Sequence, residues 1–308
     1  LGTDINLCKL DSSEIPNWRK ASRPFGENCG FTIGEAAQYI VLMDDALAID
    51  LAADVHGAVP DVFINADGIK RSISAPGVGN YVSFSKAVAS AIAIVGESTV
   101  RKHSFIHAHG SSTPANRVTE SRIFDRVAEA FSIKDWPVTA AKAFVGHSLA
   151  AASGDQLAFA LGTFKYDILP GIKTVDKIAN DVAQKNLFFP LQDMDLVNRR
   201  MDVAFVNSKG FGGNNATAVI LSPRKVENML SARYGPAMAD YQSRREETRQ
   251  AAKKYAEQAD KGNVSVVYRF GEALVQEEDI DISCDGIHMP GYKQDVVFDK
   301  LNPWADMA

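Results

Sequence analysis

The feature that most constrains the fold is an alternation of short apolar runs with longer segments of helical spacing between Gln38 and Pro223. The predicted strands, which are rich in β-branched and aromatic residues, are 39–43, 58–68, 104–110 and 138–145. The predicted helices are 44–55, 84–96, 118–131 and the alanine-rich segment after 147. Such alternation is typical of α/β proteins, in which helices cover a sheet. We therefore predict an α/β fold that ends, over 202–223, in two strands joined by a glycine-rich turn.

Composition limits the class of protein. The chain has 308 residues, of which 46% are hydrophobic and 23% charged, so it can bury a large core. It contains no apolar run of about 18 residues, and its first ten residues lack the pattern of a secretory signal. We therefore expect a cytoplasmic protein without a membrane partner. The net charge of -5 gives no electrostatic reason to expect nucleic acid as a partner.

The character of the sequence changes after Pro223. Residues 224–262 are strongly charged and have helical spacing, and short β-like runs separated by glycine and proline follow. We predict two parts, a main domain over 1–222 and an extension over 223–308. The role of the extension is left open among bracing the domain, lining a dimer interface and binding a carrier protein.

The first chemical loop is His109-Gly110-Ser111-Ser112-Thr113-Pro114, at the end of a predicted strand. A histidine there can reach a ligand, and the hydroxyl groups can bind an amide or phosphate tail. The alternative is a strand-end histidine capped by Ser and Thr.

The second loop contains Lys142, Gly146 and His147, again at a predicted strand end. A helix of small residues follows directly and would place His147 in a constricted site. The alternative is a surface cation beside a hydrogen-bonded histidine.

The second loop also allows a serine acyltransferase. The run from Gly146 to Ala150 nearly matches the G-x-S-x-G elbow, in which Ser148 would be the nucleophile. The final glycine is missing, and the histidine that such a triad needs after the serine could only be His288, in the extension.

The third loop runs from Asn207 to Asn215 and places Phe211 among three glycines. Backbone N–H groups at Gly210 and Gly212 can bind an oxyanion while Phe211 closes a pocket. The alternative is a glycine-rich hairpin turn. The G-x-G-x-x-G spacing of a dinucleotide site is absent.

Together, the order and spacing of these loops resemble the β-ketoacyl synthases of the thiolase-like superfamily, in which HGTxTP, KxxxGH and NSFGFGGxN succeed one another. Ser22-Arg23-Pro24-Phe25, followed by Gly30-Phe31 and Gly34-Glu35, is similar to the RPFD and DGFVxGEGAG segments of that family, and the loop 72–76 is similar to HMTSP. The resemblance covers residues 1 to about 222. It implies the C-terminal half of a layered α-β-α-β-α fold, most like the initiating enzymes that join acetyl-CoA to malonyl-acyl carrier protein.

The resemblance implies a decarboxylating Claisen condensation. His109 and His147 would stabilise the enolate, and Lys142 would fix the charge near His147. Phe211 would gate the acyl pocket, with Gly210 and Gly212 in the oxyanion loop.

The resemblance also implies the substrates and partners. The hydroxyls of Ser111, Thr113 and Ser74 would bind the phosphopantetheine arm of substrates carried by CoA or acyl carrier protein. No metal or redox cofactor is expected. The expected partners are acyl carrier protein, acyl-CoA and a second copy of the chain in a homodimer.

Several residues depart from the family pattern. Where the family commonly has LLGAAGAVE after its GH, this chain has SLAAASGDQ, so Gln156 occupies the usual glutamate position and Asp155 stands beside it. The role of the acidic group there is open between them. Lys209 replaces a phenylalanine.

In the family, the nucleophilic cysteine precedes the SRPF segment by more residues than this chain has before Ser22. The three cysteines, Cys8, Cys29 and Cys284, are scattered and suit neither a disulfide framework nor a zinc site. We therefore expect the nucleophile upstream of Leu1. The alternative is a non-catalytic partner subunit like a chain-length factor, although keeping both histidines argues against it.

Overall fold

The computed structural model describes residues 22–27, 30–69, 77–210, 212–264, 270–272 and 274–307. The chain divides into two compact units, 1–250 and 251–308. The first unit contains the predicted α/β sheet, and the second contains a small sheet of its own.

A six-stranded sheet forms the centre of the first unit. Its strands are β1 (Ala58–Ala66), β2 (Ser104–His107), β3 (Trp136–Thr139), β5 (Leu187–Phe188), β7 (Val203–Gly210) and β8 (Asn214–Leu221), and a separate pair consists of β4 (Ile168–Leu169) and β6 (Met194–Asp195). The order is β1-β8-β7-β2-β3-β5. β2 is parallel to β3 and β7, so the carboxyl ends of these three strands lie at one edge of the sheet. The loops that follow them can therefore form one site.

Helices of the first unit connect and cover these strands. They are α1 (Asp45–Asp50), α2 (Gly79–Val95), α3 (Glu97–Lys102), α4 (Pro114–Ala130), α5 (Lys142–Val145), α6 (Ala152–Tyr166), α7 (Pro223–Tyr234) and the first half of α8 (Met238–Asp260). An aromatic cluster of Phe84, Phe124, Trp136 and Phe205 joins α2 and α4 to the sheet, with ring centroids 4.8 to 5.9 Å apart. These contacts hold α2 and α4 against β3 and β7.

Most predicted elements of the main domain are confirmed, and two are not. The run 39–43, predicted as a buried strand, forms no strand and is exposed, with Tyr39 97% accessible. Among the described residues no strand lies beside it, so its backbone has no ladder to join. The predicted strand 138–145 ends at Thr139, and residues 142–145 form α5 instead.

The main core extends beyond the predicted domain boundary. Val226 and Leu230 of α7 and Met238 and Tyr241 of α8 are buried in the principal core cluster. The first compact unit therefore continues to Gln250. The division of the homologous domain from an extension at 222/223 stays a prediction.

The second unit has little interior. Its strands are β9 (Asp281–Ile282), β10 (Gly286–His288) and β11 (Val296–Val297), in the order β11-β10-β9. None of its described residues is buried. In the part of the chain that the structure describes, no helix is both long and apolar enough to cross a membrane.

Candidate active site

His109 follows the carboxyl end of β2. The backbone N–H of Ala108 still bonds to the Thr139 oxygen of β3, at 2.8 Å, so the chain stays on the sheet until the residue before His109. His109 is only 8% exposed, and its buried Nδ1 has no hydrogen-bonding partner among the residues that the structure describes. The ring is therefore held in a largely dry environment.

His147 is held by a segment from the start of the chain. Its N–H donates to the Thr32 oxygen at 2.7 Å, and its own oxygen accepts from the Gly34 N–H at 3.0 Å. A Cβ at Gly34 would lie 2.0 Å from the Val145 oxygen, so this close approach requires glycine. The Phe31 ring packs against His147 at a centroid distance of 5.1 Å. The GFTIG segment thus serves to fix His147.

The structure brings the two predicted histidines together. The ring centroids of His109 and His147 are 5.1 Å apart at an interplanar angle of 80°. Both rings line a cleft of about 230 Å³, together with Ser208, Lys209 and Gly210 from the end of β7. The ends of three strands therefore converge on one cavity.

The hydrogen bond at His147 sets its tautomer. The Leu149 N–H donates to Nδ1 of His147 at 3.0 Å. Since Nδ1 accepts this bond, a neutral ring carries its proton on Nε2. Leu149 makes the contact with φ at +57°, a conformation that leucine rarely adopts. The second ring nitrogen is thereby left as a donor.

Both histidines are neutral at pH 7. Burial, and then the charge of Lys142, lowers the pKa of His147 to about 4. Burial is also the main cause that lowers the pKa of His109 well below its ordinary value, followed by the charges of Lys142, His147 and Lys209. Neutral imidazoles can donate to a developing negative charge.

Lys142 lies behind the histidines. Its Nζ donates to the His109 backbone oxygen at 2.6 Å, and its side chain is 2% exposed. Burial lowers the pKa of Lys142 to about 8, whereas the charges of Glu120 and Asp155 raise it. The ammonium group is therefore mostly charged at pH 7 but close to titration.

Glu120 is a site residue that the sequence analysis missed. Its carboxylate accepts from the backbone N–H groups of His109 at 2.7 Å and Gly110 at 2.9 Å. It also accepts from the side-chain amides of Asn116 at 2.8 Å and Asn207 at 2.9 Å. The residue is fully buried. An acidic residue on the inner face of a helix was the only available signal, and its partners are invisible in a sequence.

Gln156 and Asp155 have different surroundings. The Gln156 Nε2 lies 2.9 to 3.0 Å from the backbone oxygens of His107, Ala108 and Asn207, and its Oε1 accepts from the Ser208 hydroxyl at 3.0 Å. An amide nitrogen donates to such carbonyls, which a carboxylate cannot do. Asp155 instead accepts from the side chains of Gln38 and Ser148.

The other predicted site residues are more scattered. Ser111 and Thr113 do not line the cleft; their hydroxyls lie 3.3 Å apart, and Thr113 caps α4 by accepting from the Asn116 N–H at 3.3 Å. Gly210 lines the cleft, and Gly212 lies in the β7–β8 turn with φ at +83°. Phe211 and Ser74 lie outside the described residues, as do Cys8 and Cys29.

The Ser148 arrangement does not match a serine nucleophile. Its hydroxyl donates to Asp155. A nucleophile elbow needs a histidine base on that hydroxyl and strain at the nucleophile itself, yet Ser148 has an ordinary φ of -76°.

Both the sequence and the structure of this chain are similar to those of known proteins. A family model for the C-terminal domain of β-ketoacyl synthases matches residues 56–176. Over all 308 residues the chain is 58% identical to the β-ketoacyl-[acyl-carrier-protein] synthase FabY of Pseudomonas aeruginosa and covers 48% of that protein. The chain therefore contains a β-ketoacyl synthase C-terminal domain. It spans about half the length of the curated relatives it matches.

Two solved synthase structures have the same fold. The crystal structure of the noncanonical ketosynthase FabY from P. aeruginosa matches with a TM-score of 0.87 and 60% identity, over 94% of this chain and 46% of that one. A chain in the structure of a type II polyketide synthase acyl carrier protein in complex with its ketosynthase also matches, with a TM-score of 0.57 and 22% identity. The match covers 72% of this chain and 52% of the matched chain. The α/β sheet of this chain is thus the thiolase-like one that the sequence predicts. Since the FabY alignment covers the whole chain, residues 223–308 have a counterpart in that relative.

Proposed function

We propose that this chain supplies the two-histidine half of the active site of a β-ketoacyl-acyl carrier protein synthase. The observation that carries the proposal is the pairing of His109 and His147, whose ring centroids lie 5.1 Å apart on one cleft. Both rings are neutral at pH 7, since their pKa values are lowered by burial and by Lys142. Two neutral donors aimed at one cavity suit the stabilisation of an oxyanion.

The proposed reaction begins with malonyl-acyl carrier protein. Its carboxylate leaves as carbon dioxide, and the electron pair of the broken carbon–carbon bond forms an enolate whose negative charge lies on the thioester oxygen. His109 and His147 stabilise that oxygen by hydrogen bonds. The enolate carbon then attacks the thioester of the acyl primer, and the thiolate that held the primer leaves.

Lys142 and the β7–β8 turn support this chemistry. Lys142 favours the neutral form of both histidines through its charge. Gly210, Gly212 and Phe211 belong to the oxyanion and gating loop, and Ser111, Thr113 and Ser74 bind the phosphopantetheine arm. The residues that fill these roles are proposed from the family resemblance.

The nucleophile is proposed to be a cysteine upstream of Leu1. Cys284 is exposed and lies in the second unit. The proposed primer is acetyl-CoA, because the segments GFTIGEAAQ and GHSLAAASGDQL most resemble the initiating enzymes. Acyl carrier protein is the proposed partner, as in the polyketide complex of similar fold, and the proposed assembly is a homodimer.

The test uses the natural full-length polypeptide that carries these residues. It is incubated with malonyl-acyl carrier protein and, in separate reactions, with acetyl-CoA or a long-chain acyl primer, and the products are identified by mass. Acetoacetyl-acyl carrier protein as the main product supports the proposal. Extension of the long-chain primer alone contradicts acetyl priming but not the synthase. Condensation only after a second, cysteine-bearing subunit is added would indicate a chain-length-factor-like partner instead.

A further inference from the structure

Three polar side chains form a chain of hydrogen bonds beside His147. Asp155, in the first turn of α6, accepts at Oδ1 from the Gln38 side-chain amide and at Oδ2 from the Ser148 hydroxyl. Two donors on two oxygens suit an ionised carboxylate. The three residues come from separate segments, and Ser148 directly follows His147 in the chain.

Ser148 and Asp155 are two polar residues that bond to each other beside His147. Loss of either side chain would leave the other without this partner.

This network reaches two segments that bond to His147. In the first, Ser148 precedes Leu149, whose N–H holds Nδ1 of the ring and whose φ of +57° requires support from its surroundings. The second contains Gln38, and its Thr32 and Gly34 bond to the His147 backbone. Asp155 therefore joins the two segments that hold His147.

We propose that Asp155 is a positioning residue of the condensation site, which holds the Ser148–Leu149 turn against the His147 ring and ties it to Gln38. The inference rests on the proposed function. It assigns to Asp155 a role through Ser148 and not through contact with substrate.

Charge gives an independent signature of the same role. The groups that act on the pKa of Lys142 are Glu120 from α4 and Asp155 from α6, and both raise it against the effect of burial. The other titratable or charged groups that the described residues place around Lys142 and the two histidines are His109, His147, Lys209 and His107, whose pKa is lowered by burial and then by the charge of Lys142. We expect the rate to fall at basic pH as Lys142 loses its charge, so removing the Asp155 charge should lower the pKa of Lys142 and move this basic limb of the activity profile to lower pH.

The experiment is a double-mutant cycle in the full-length protein. Asp155→Ala and Ser148→Ala are each expected to lower kcat for malonyl decarboxylation about tenfold, since a displaced donor loses its geometry. KM should stay nearly constant. The double variant should be no worse than the more damaged single variant, because all three lack the same contact.

Two further variants separate charge from contact. Asp155→Asn keeps the shape and should move the basic limb to lower pH, whereas Ser148→Ala should leave that limb in place. Asp193→Asn is the matched control, because Asp193 pairs with Lys173 on the surface and with the Gly171 N–H. Its kcat and pH profile should equal those of the unsubstituted protein. Thermal unfolding of every variant checks the fold.

The nitrogen-15 spectrum of His147 gives a readout that does not depend on turnover. The unsubstituted protein should show the Nε2-protonated neutral ring, and Asp155→Ala should show a mixture of tautomers. Folded Asp155 variants with unchanged kcat, pH limb and tautomer would overturn the inference. If the unsubstituted protein does not decarboxylate malonyl-acyl carrier protein, the proposed function fails, and the spectrum alone decides the role of Asp155.

Discussion

At the scale of residues, the site combines groups that a sequence can reveal with groups that it cannot. His109 and His147 could be predicted to meet because each follows a strand of one parallel set. The role of Glu120 could not be predicted, since two of its four hydrogen-bonding partners are backbone N–H groups. Gln156 was noticed as a departure, but its three carbonyl contacts depend on how β2 and β7 end. Residue types predict chemistry, and only coordinates reveal backbone partners.

The pH dependence of decarboxylation follows from Lys142. The charged ammonium group of Lys142 also favours negative charge developing nearby, so the proposed decarboxylation should slow as the pH rises through its lowered pKa of about 8. The same titration does not unfold the protein. Between about pH 8 and 10.5 the unfolded chain still binds the proton that the folded chain has released, so this group adds stability as the pH rises. Rate profiles with parallel unfolding curves check this, and a rate that stays level to pH 9.5 would contradict it.

Replacement of Glu120 tests its structural role. Glu120→Gln leaves buried N–H donors facing an amide nitrogen, so the free energy of unfolding should fall by about 1–3 kcal/mol or more. Denaturant unfolding measures the change. The matched control is Glu129→Gln on the same helix, because Glu129 is an exposed partner of Lys185 and its loss should change stability little. Equal effects of the two replacements would show that the Glu120 contacts add nothing.

At the scale of elements, the local sequence pattern correctly predicted the strands and helices that pack against other elements of the core. β1, α2 and the β7–β8 hairpin have the predicted character, because their apolar faces meet the rest of the core. The prediction of a strand at the apolar run 39–43 was wrong, because residues with a high strand propensity form a strand only where they can pair with another strand. The short helix α5 was missed, since four residues are too few for a helical period to be visible.

The C-terminal helices hold the segment around α1 by several contacts. Tyr241 donates through its hydroxyl to the Ala53 oxygen at 2.9 Å, Arg244 donates to the Asp50 oxygen at 2.8 Å, and Arg249 pairs with Asp54 at 2.7 Å. Along the chain, this segment connects residues 32–34, which bond to the His147 backbone, with β1. The first half of α8 is thus part of the main unit because of both packing and polar contacts.

Tyr241→Phe should therefore lower the free energy of unfolding by about 1 kcal/mol, since the partly buried Ala53 carbonyl loses its donor while the ring packing stays. Tyr255→Phe is the control on the same helix, because Tyr255 is 64% exposed. Thermal and denaturant unfolding of the two variants measure the difference. A Tyr241 variant as stable as the Tyr255 variant would refute the role of the hydroxyl contact.

At the scale of the whole molecule, composition predicted a large α/β core and the family pattern predicted which half of the fold this chain represents. Composition could not predict that the physical core runs on to Tyr241, because a charged helix can still bury one side. The alignment with FabY extends over both compact units. The two-histidine cleft lies entirely within the first of them.

The central claim is that two convergent imidazoles stabilise the enolate formed by decarboxylation. The most direct measurement is the rate of carbon dioxide release from malonyl-acyl carrier protein by the full-length protein and by its His109→Ala and His147→Ala variants, each shown to be folded by circular dichroism. Each variant should lose a factor of about 100–1,000, the usual cost of one well-placed donor. Folded variants that both release carbon dioxide at the unsubstituted rate would contradict the claim.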